Sequence, residues 1–196
     1  MIDFSAVNII LGSGSPRRKH LMEIMEIPHQ LVVKPIQENF DPNLKGAAIT
    51  DYLAQCKGAV FQKDLGIKDV VLTADTIVWF KESALGKPAD ETHAIEMLKT
   101  LSGQTHQVFT SVCFTTAQHQ HSIHEKTDVT FAKLTDTFIK SYVQQEQPLD
   151  KAGAYGIQDR FGAVAVSHIC GSYTNVVGLP CAQTYQGLEY VIKTYF

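Results

Sequence analysis

Apolar and polar positions alternate along this chain with two different periods, and the changes of period mark its elements. Asn8-Ile9-Ile10-Leu11 is a short apolar run that predicts a strand. The pattern over 19–26 predicts a helix with Leu21, Met22 and Met25 on its apolar side. A short strand follows at 30–33, then a polar loop with two prolines, Pro35 and Pro42. Over 44–63 the period is helical again, with Leu53, Val60 and Phe61 apolar. The strongest strand is 70–80, apolar on both sides of its middle, as expected of a central strand covered on both faces. A helix over 92–101 carries Ile95, Leu98 and Leu101 on one face and closes through Gly103. Two strands, 108–116 and 122–134, flank a histidine-rich turn. An amphipathic helix follows at 136–147, with Phe138, Ile139, Tyr142 and Val143 inward. A loop of small residues then runs to 158. The stretches 164–169 and 173–177, joined around Gly171-Ser172, read as a hairpin. Gly178-Leu179-Pro180 opens a last helix, with Tyr185, Leu188, Val191 and Ile192 on its core face. Strands and helices therefore mix, with at least two hairpins. The fold class is α/β with a mixed, strongly twisted sheet flanked by helices. With no internal repeat, low-complexity tract or linker, residues 1–196 read as one domain.

Composition narrows the partners. The 196 residues are 44% hydrophobic and 19% charged with a net charge of −3, so no broad basic surface is implied and nucleic acid is not the expected partner. A small polyanion needs only a local positive pocket. Cys56, Cys113, Cys170 and Cys181 are far apart, without CxxC pairing, and read as reduced core thiols of a cytoplasmic protein. The start, Met1-Ile2-Asp3-Phe4, has no signal-peptide pattern. No uninterrupted apolar span is long enough for a membrane helix.

Two stretches carry candidate chemistry. In Gly12-Ser13-Gly14-Ser15-Pro16-Arg17-Arg18, a strand ends and a helix begins. Ser15 is placed to N-cap that helix and Pro16 suits its first turn. Free N–H groups and the positive dipole end favour an anion there, and two guanidinium groups can fork onto phosphate oxygens. Gly12 and Gly14 would let the backbone approach a ligand. A capped helix with two surface arginines is the plainer alternative. The turn is neither a Walker loop nor a GxGxxG fingerprint. The second stretch is the central strand, which Asp75 interrupts. A carboxylate there is costly unless it is paired, protonated or on a metal, which points to function. Taken alone, Glu38 and Asp41 read as solvated loop charges, and Lys57 as surface decoration on a helix. Lys87, in Gly86-Lys87-Pro88, is a second candidate lysine. His119, His121 and His124 lack a supporting carboxylate or cysteine pattern, so no metal site is expected there.

Together these segments resemble the Maf family. Ser13-Gly14-Ser15-Pro16-Arg17-Arg18, Ala74-Asp75-Thr76, Gly86-Lys87-Pro88, Ser102-Gly103-Gln104-Thr105-His106, the run from Asp150 to Gln158, and Asn175-Val176-Val177-Gly178-Leu179-Pro180 follow in family order. They cover nearly the whole chain. The resemblance implies an ITPase-like (Ham1-like) fold, an elongated mixed sheet with two lobes and a central cleft. It implies hydrolysis of a nucleoside triphosphate to the monophosphate and pyrophosphate with a divalent metal, Mg²⁺ or Mn²⁺. The late loop Lys151-Ala152-Gly153-Ala154-Tyr155-Gly156-Ile157-Gln158 is similar to the branch that handles dTTP, UTP and some modified pyrimidine triphosphates, rather than the one preferring 7-methyl-GTP. Gln104 and Asp159 depart from the family, standing where an arginine and a glycine are common. The resemblance also implies a homodimer and a link to septum formation.

On this reading the triphosphate charge is neutralised by Arg17, Arg18, Lys57 and Lys87, with Ser13 and Ser15 in the phosphate turn. Glu38 and Asp75 are the expected metal ligands, completed by water and phosphate. Asp75 could also orient or deprotonate the attacking water. Thr76 is placed to contact the substrate, and Gln158, both donor and acceptor, suits the edge of a pyrimidine. Lys57 and Lys87 join Asp75 as catalytic candidates. A covalent route through Ser15 finds no neighbouring base in sequence. The alternative functions are a nucleotide-sensing regulator of division without turnover, which would tolerate loss of Asp75, and a nucleic-acid-binding module.

Overall fold

One of the two longest strands of the sheet is paired on one edge along most of its length and on the other only at its two ends. This strand, β3 (Asp69–Phe80), carries β5 (Thr105–Thr115) antiparallel along residues 71–79. Its other edge receives β1 (Asn8–Leu11) in parallel at residues 69–72 and β4 (Ser83–Leu85) antiparallel at residues 78–80. Between these two, residues 73–77 have no strand on that edge among the described residues. Asp75 lies in that gap, so the polar break in the apolar run coincides with a break in the sheet.

The computed structural model describes residues 4–196. Met1, Ile2 and Asp3, part of the start read for a signal pattern, lie outside the described residues. The sheet has seven strands in the order β2 (Gln30–Leu31), β1, β3, β5, β6 (Gln120–Phe131), β7 (Val166–Cys170), with β4 on β3. The strands β2, β1 and β3 run parallel and the remaining pairs antiparallel. From β1 the chain passes through α1 (Pro16–Ile24) to β2 on one side. It then returns through α2 (Ala47–Ala59) to β3 on the other. Such a reversal opens a crevice outside the carboxyl end of the middle strand, where α/β sheets take their ligands. The turn 12–15 leaves β1 at that end.

Two apolar clusters sit along the long strands. One joins α1 and α7 (Cys181–Tyr195), through Leu21, Met22, Leu188 and Val191, to Leu72, Val112 and Phe114 of the sheet. The other joins α3 (Glu91–Leu101), α4 (Asp136–Glu146) and α5 (Arg160–Ala165) to Val78, Phe80, Val108 and Phe131. A small third cluster sets Ile49 and Leu53 of α2 against Ile77. The two large clusters are the two lobes expected from the resemblance, and the gap in β3 lies between them. α3 and α4 begin at side-chain caps, Asp90 accepting from the His93 N–H at 2.8 Å and Thr135 from the Phe138 N–H at 3.2 Å. Each such cap contributes about 1 kcal/mol. No described helix is long and apolar enough to cross a membrane.

Several boundaries differ from the reading of the sequence. The helix expected over 44–63 is α2 over Ala47–Ala59 with a short 3₁₀ turn after it, and Val60 is exposed while Phe61 is buried. Residues 105–107, ahead of the strand expected over 108–116, already belong to β5, which puts His106 inside the protein. The predicted hairpin over 164–177 is not formed. Residues 160–165 are α5, and 173–177 are the short helix α6 (Tyr173–Val177). Ser172 caps α6 by accepting from the Asn175 N–H at 3.2 Å, and that cap outweighs the strand propensity of Val176 and Val177. Of the four expected core thiols only Cys113 is buried, and Cys170 is exposed on the edge strand β7.

Candidate active site

The turn after β1 folds as its residues dictate. Ser15 has an extended backbone, and its hydroxyl accepts from the Arg18 N–H at 3.4 Å, with Pro16 in the first helical turn. Ser13 is buried, and its hydroxyl oxygen accepts from the Ser15 N–H at 3.3 Å and from Arg18 Nη1 at 3.1 Å. Those bonds leave the Ser13 O–H free to donate into the cleft. Gly12 lines the cleft and has a further purpose. A Cβ there would sit 2.8 Å from Thr73 Cγ2 and 3.1 Å from Val71 Cγ1, so its smallness also lets β1 pass close to β3. At Gly14 a Cβ would meet Val33 only at 3.7 Å.

Lys57, in the last turn of α2, is the centre of the acidic side. The Thr73 hydroxyl donates to the Ala54 carbonyl at 2.7 Å, pinning α2 to β3 one turn earlier. Gly58 lets the helix lie against β5, since a Cβ there would fall 2.2 Å from Thr115 Oγ1. Held this way, Lys57 Nζ lies 2.6 Å from Asp75 Oδ1 and 2.8 Å from Glu38 Oε1. The Asp75 side chain is 10% exposed and that of Glu38 54%. Burial alone would raise the Glu38 carboxyl. Its bond to Lys57 and the charges of Lys57, Lys87 and Arg18 outweigh that and hold it below the ordinary carboxylate value.

Thr76 points to the opposite face of β3 from Asp75, as neighbours on a strand must. There it meets the basic side. Arg18 donates from Nη2 to Thr76 Oγ1 at 3.1 Å and from Nε to the Gly178 carbonyl at 2.8 Å. Burial pushes the Arg18 guanidinium below its usual value against the pull of Asp75, yet an arginine remains a cation throughout the working pH range. Because the other edge of β3 is unpaired here, the two faces open into one cleft. Arg17 lies at its rim, pairing with Asp150 at 2.9 Å.

All the candidate residues meet in that cleft of about 800 Å³: Ser13, Ser15, Arg17, Arg18, Glu38, Lys57, Asp75, Thr76, Lys87 and Gln158 line it. The volume is of the size that holds a nucleotide-sized ligand. The turn bearing Lys87 meets the late loop where the Gly153 N–H donates to the Gly86 carbonyl at 3.0 Å. Gly153 is needed for that contact, with φ of +68° and a would-be Cβ 2.8 Å from Val78 Cγ2. The histidines lie elsewhere: His119 stacks on Tyr195, His121 lies tilted against Tyr190, and His124 pairs with Asp51 at 3.1 Å.

Sequence reasoning passed over three residues at the site. Asp150 and Lys151 line the cleft and pair with each other at 3.0 Å, and Tyr155 lines it from within the core. Their place in the late-loop motif was the only signal. Thr110, which the structure puts behind Thr76 at 2.9 Å, had none beyond the alternation of its strand.

Comparisons with known proteins agree with this geometry. Residues 8–191 match the family model described as Maf-like protein. The dTTP/UTP pyrophosphatase of Flavobacterium psychrophilum is 46% identical over 182 residues, 93% of each chain. That of Christiangramia forsetii is 44% identical over 95% of each chain. That of Bacillus mycoides is 43% identical over 92% of this chain and 94% of its own. Among solved structures, a HAM1 protein from Coxiella burnetii superposes with a TM-score of 0.50 at 13% identity, covering 95% of this chain and 98% of that one. That likeness shows an ITPase-like fold. With 184 of its residues, 8 to 191, matched and near relatives over more than nine-tenths of its length, the chain belongs to the Maf-like protein family.

Proposed function

We propose that the chain hydrolyses pyrimidine nucleoside triphosphates, dTTP and UTP, to the monophosphate and pyrophosphate. The observation that carries this reading is one cleft with two sides. Glu38 and Asp75 share Lys57 on one, and Arg18 stands in the serine-rich turn on the other. The relatives named dTTP/UTP pyrophosphatase support the activity and the pyrimidine branch.

The division of labour follows from charge. Arg18, the Ser13 hydroxyl and the Arg17 N–H at the start of α1 take phosphate oxygens. Lys87, with no ion-pair partner among the described residues, adds a mobile positive charge from the facing turn. Lys57 occupies Asp75 Oδ1, so Oδ2 is the atom left to take a proton from the attacking water. Water adds at the α-phosphorus, the bond from that phosphorus to the bridging oxygen breaks, and pyrophosphate leaves with the bonding pair. Gln158, exposed at the cleft, offers a donor and an acceptor to the base edge.

A divalent metal fits the donor set. Glu38 and Asp75 are hard oxygen ligands, and each keeps one carboxylate oxygen free of Lys57. No cluster of three or more His, Cys, Asp or Glu side chains stands among the described residues, and Mg²⁺ characteristically takes one or two carboxylates with phosphate and water. Glu38 Oε2 and one lone pair of Asp75 Oδ2 would hold it, leaving the other Oδ2 lone pair for the proton of the water, and it would supply charge neutralisation at the leaving pyrophosphate.

The test is pyrophosphate release from a panel of nucleoside triphosphates with Mg²⁺ or Mn²⁺. Turnover of dTTP and UTP to monophosphates is expected. Turnover of 7-methyl-GTP instead would overturn the branch. Tight binding without any turnover would favour a nucleotide-sensing protein.

A further inference from the structure

We propose that Thr110 and Asn175, neither of them in reach of a bound triphosphate, are positioning residues that aim the Arg18 guanidinium at the phosphates through the Thr76 hydroxyl. The inference rests on the reading of Arg18 as a phosphate ligand.

The bonding directions are fixed by counting protons. The Thr110 hydroxyl donates to the Asn175 carbonyl at 3.0 Å. A hydroxyl has one proton, so in its 2.9 Å contact with Thr76 the Thr110 oxygen accepts and Thr76 donates. The Thr76 oxygen is then presented lone pair first to Arg18 Nη2, at 3.1 Å. Were the Thr76 proton free to rotate, it could turn toward Arg18 and repel it. The chain of bonds from Asn175 to Thr110 to Thr76 removes that state.

Asn175 is in turn immobile. It is wholly buried, and its Nδ2 donates to the Thr127 hydroxyl oxygen at 2.8 Å and to the Val108 carbonyl at 3.1 Å. The short helix α6 is thus anchored to β5 and β6, and it meets Arg18 by two routes. One is the hydroxyl chain. The other is the Gly178 carbonyl just past the helix end, which accepts from Nε at 2.8 Å. Gly178 has φ of +122°, a backbone state that L side chains rarely adopt, so the turn that delivers this carbonyl favours glycine. A guanidinium has five N–H groups. Gly178, Thr76 and Ser13 take three, leaving one N–H on each terminal nitrogen. Those two form a planar fork of set direction, the geometry that binds two oxygens of one phosphate. The Asn175 to Pro180 motif therefore reaches the reaction through Arg18.

The experiment compares kcat/KM for UTP in Thr110→Val, Thr110→Ser, Arg18→Lys and the double variant Arg18→Lys/Thr110→Val, with thermal melting of each. Valine keeps the shape of threonine, and the Asn175 carbonyl keeps its other donor, the Gly178 N–H at 3.0 Å. Thr110→Val is expected to lose about tenfold in kcat/KM, the worth of one well-placed hydrogen bond. Thr110→Ser should stay within about twofold of the parent. In the Arg18→Lys background the valine should cost less than about twofold, because the fork it aims is gone. Equal losses in both backgrounds, or full activity in Thr110→Val, would overturn the proposal. Full activity in Arg18→Lys would show that the reading of Arg18 itself had failed, and the proposal would fall with it. If Thr110→Val does not fold, Thr110→Ala carries the same comparison.

Discussion

Lys57 and Asp75 come from different elements and meet at 2.6 Å, with Glu38 on the other side of the same ammonium at 2.8 Å. One cation therefore bridges two carboxylates at the edge of an anion-binding cleft and helps hold Glu38 in its charged form. Removing it, as in Lys57→Met, leaves the carboxylates facing each other. Glu38 loses the partner that holds it low, so its pKa rises. The acid limb of the pH–rate profile should move to higher pH in Lys57→Met, with kcat down about 10²-fold or more. An unmoved acid limb would show that Lys57 does not set the ionisation of the site.

Asp150 competes with phosphate for Arg17 and Lys151, which lie 2.9 and 3.0 Å from it. Burial would raise its carboxyl, but bonds to Arg17 and Lys151 hold it below the ordinary value, so it is charged at neutral pH. Asp150→Asn should lower KM for UTP by about two- to fivefold, the scale of an exposed ion pair, with kcat little changed. Steady-state kinetics at low and high salt checks this, and the gain should shrink as salt rises.

The turn after β1 tolerates bulk unequally. Gly12→Ala would force its Cβ against Thr73 and Val71 and should destabilise by about 1–3 kcal/mol. Gly14→Ala has ordinary van der Waals room and should melt within a few degrees of the parent. Denaturant unfolding of the two variants side by side distinguishes them.

His106 is buried among Phe131 and Tyr155, its Nε2 2.8 Å from the Tyr155 hydroxyl. Burial lowers its pKa to about 4. A depressed folded-state pKa means the unfolded chain takes up the proton first. Its contribution is therefore complete above about pH 6.5 and is lost as pH falls toward 4, by about 3 kcal/mol in all. His106→Gln should flatten that part of the stability–pH curve, read from urea midpoints at pH 7 and pH 4.5. A curve as steep as the parent's would place the acid sensitivity elsewhere.

What could be read from the sequence was what is local. Ser15 and Pro16 announce the start of α1 because a cap and a first-turn proline act within a few residues. Asp75 stood out because a carboxylate inside an apolar run is expensive anywhere. Its pairing was hidden. Lys57 looks like any helical surface lysine until α2 is laid on β3, and the gap that seats Asp75 depends on where β1 and β4 stop pairing. Gly12 was legible as a special position, but its packing role was not, since the crowding comes from β3. The stretch 173–177 was misread because its β-branched residues favour a strand in isolation. The Ser172 cap and the buried Asn175 decide for a helix.

The most direct test of the central claim is UTP turnover by Asp75→Asn, measured as pyrophosphate release beside UTP binding and thermal melting. The account predicts a loss of about 10²- to 10⁴-fold in kcat, as for removal of a general base, in a variant that folds and still binds nucleotide. Turnover at the parent rate would contradict it, because no other carboxylate stands in the gap of β3.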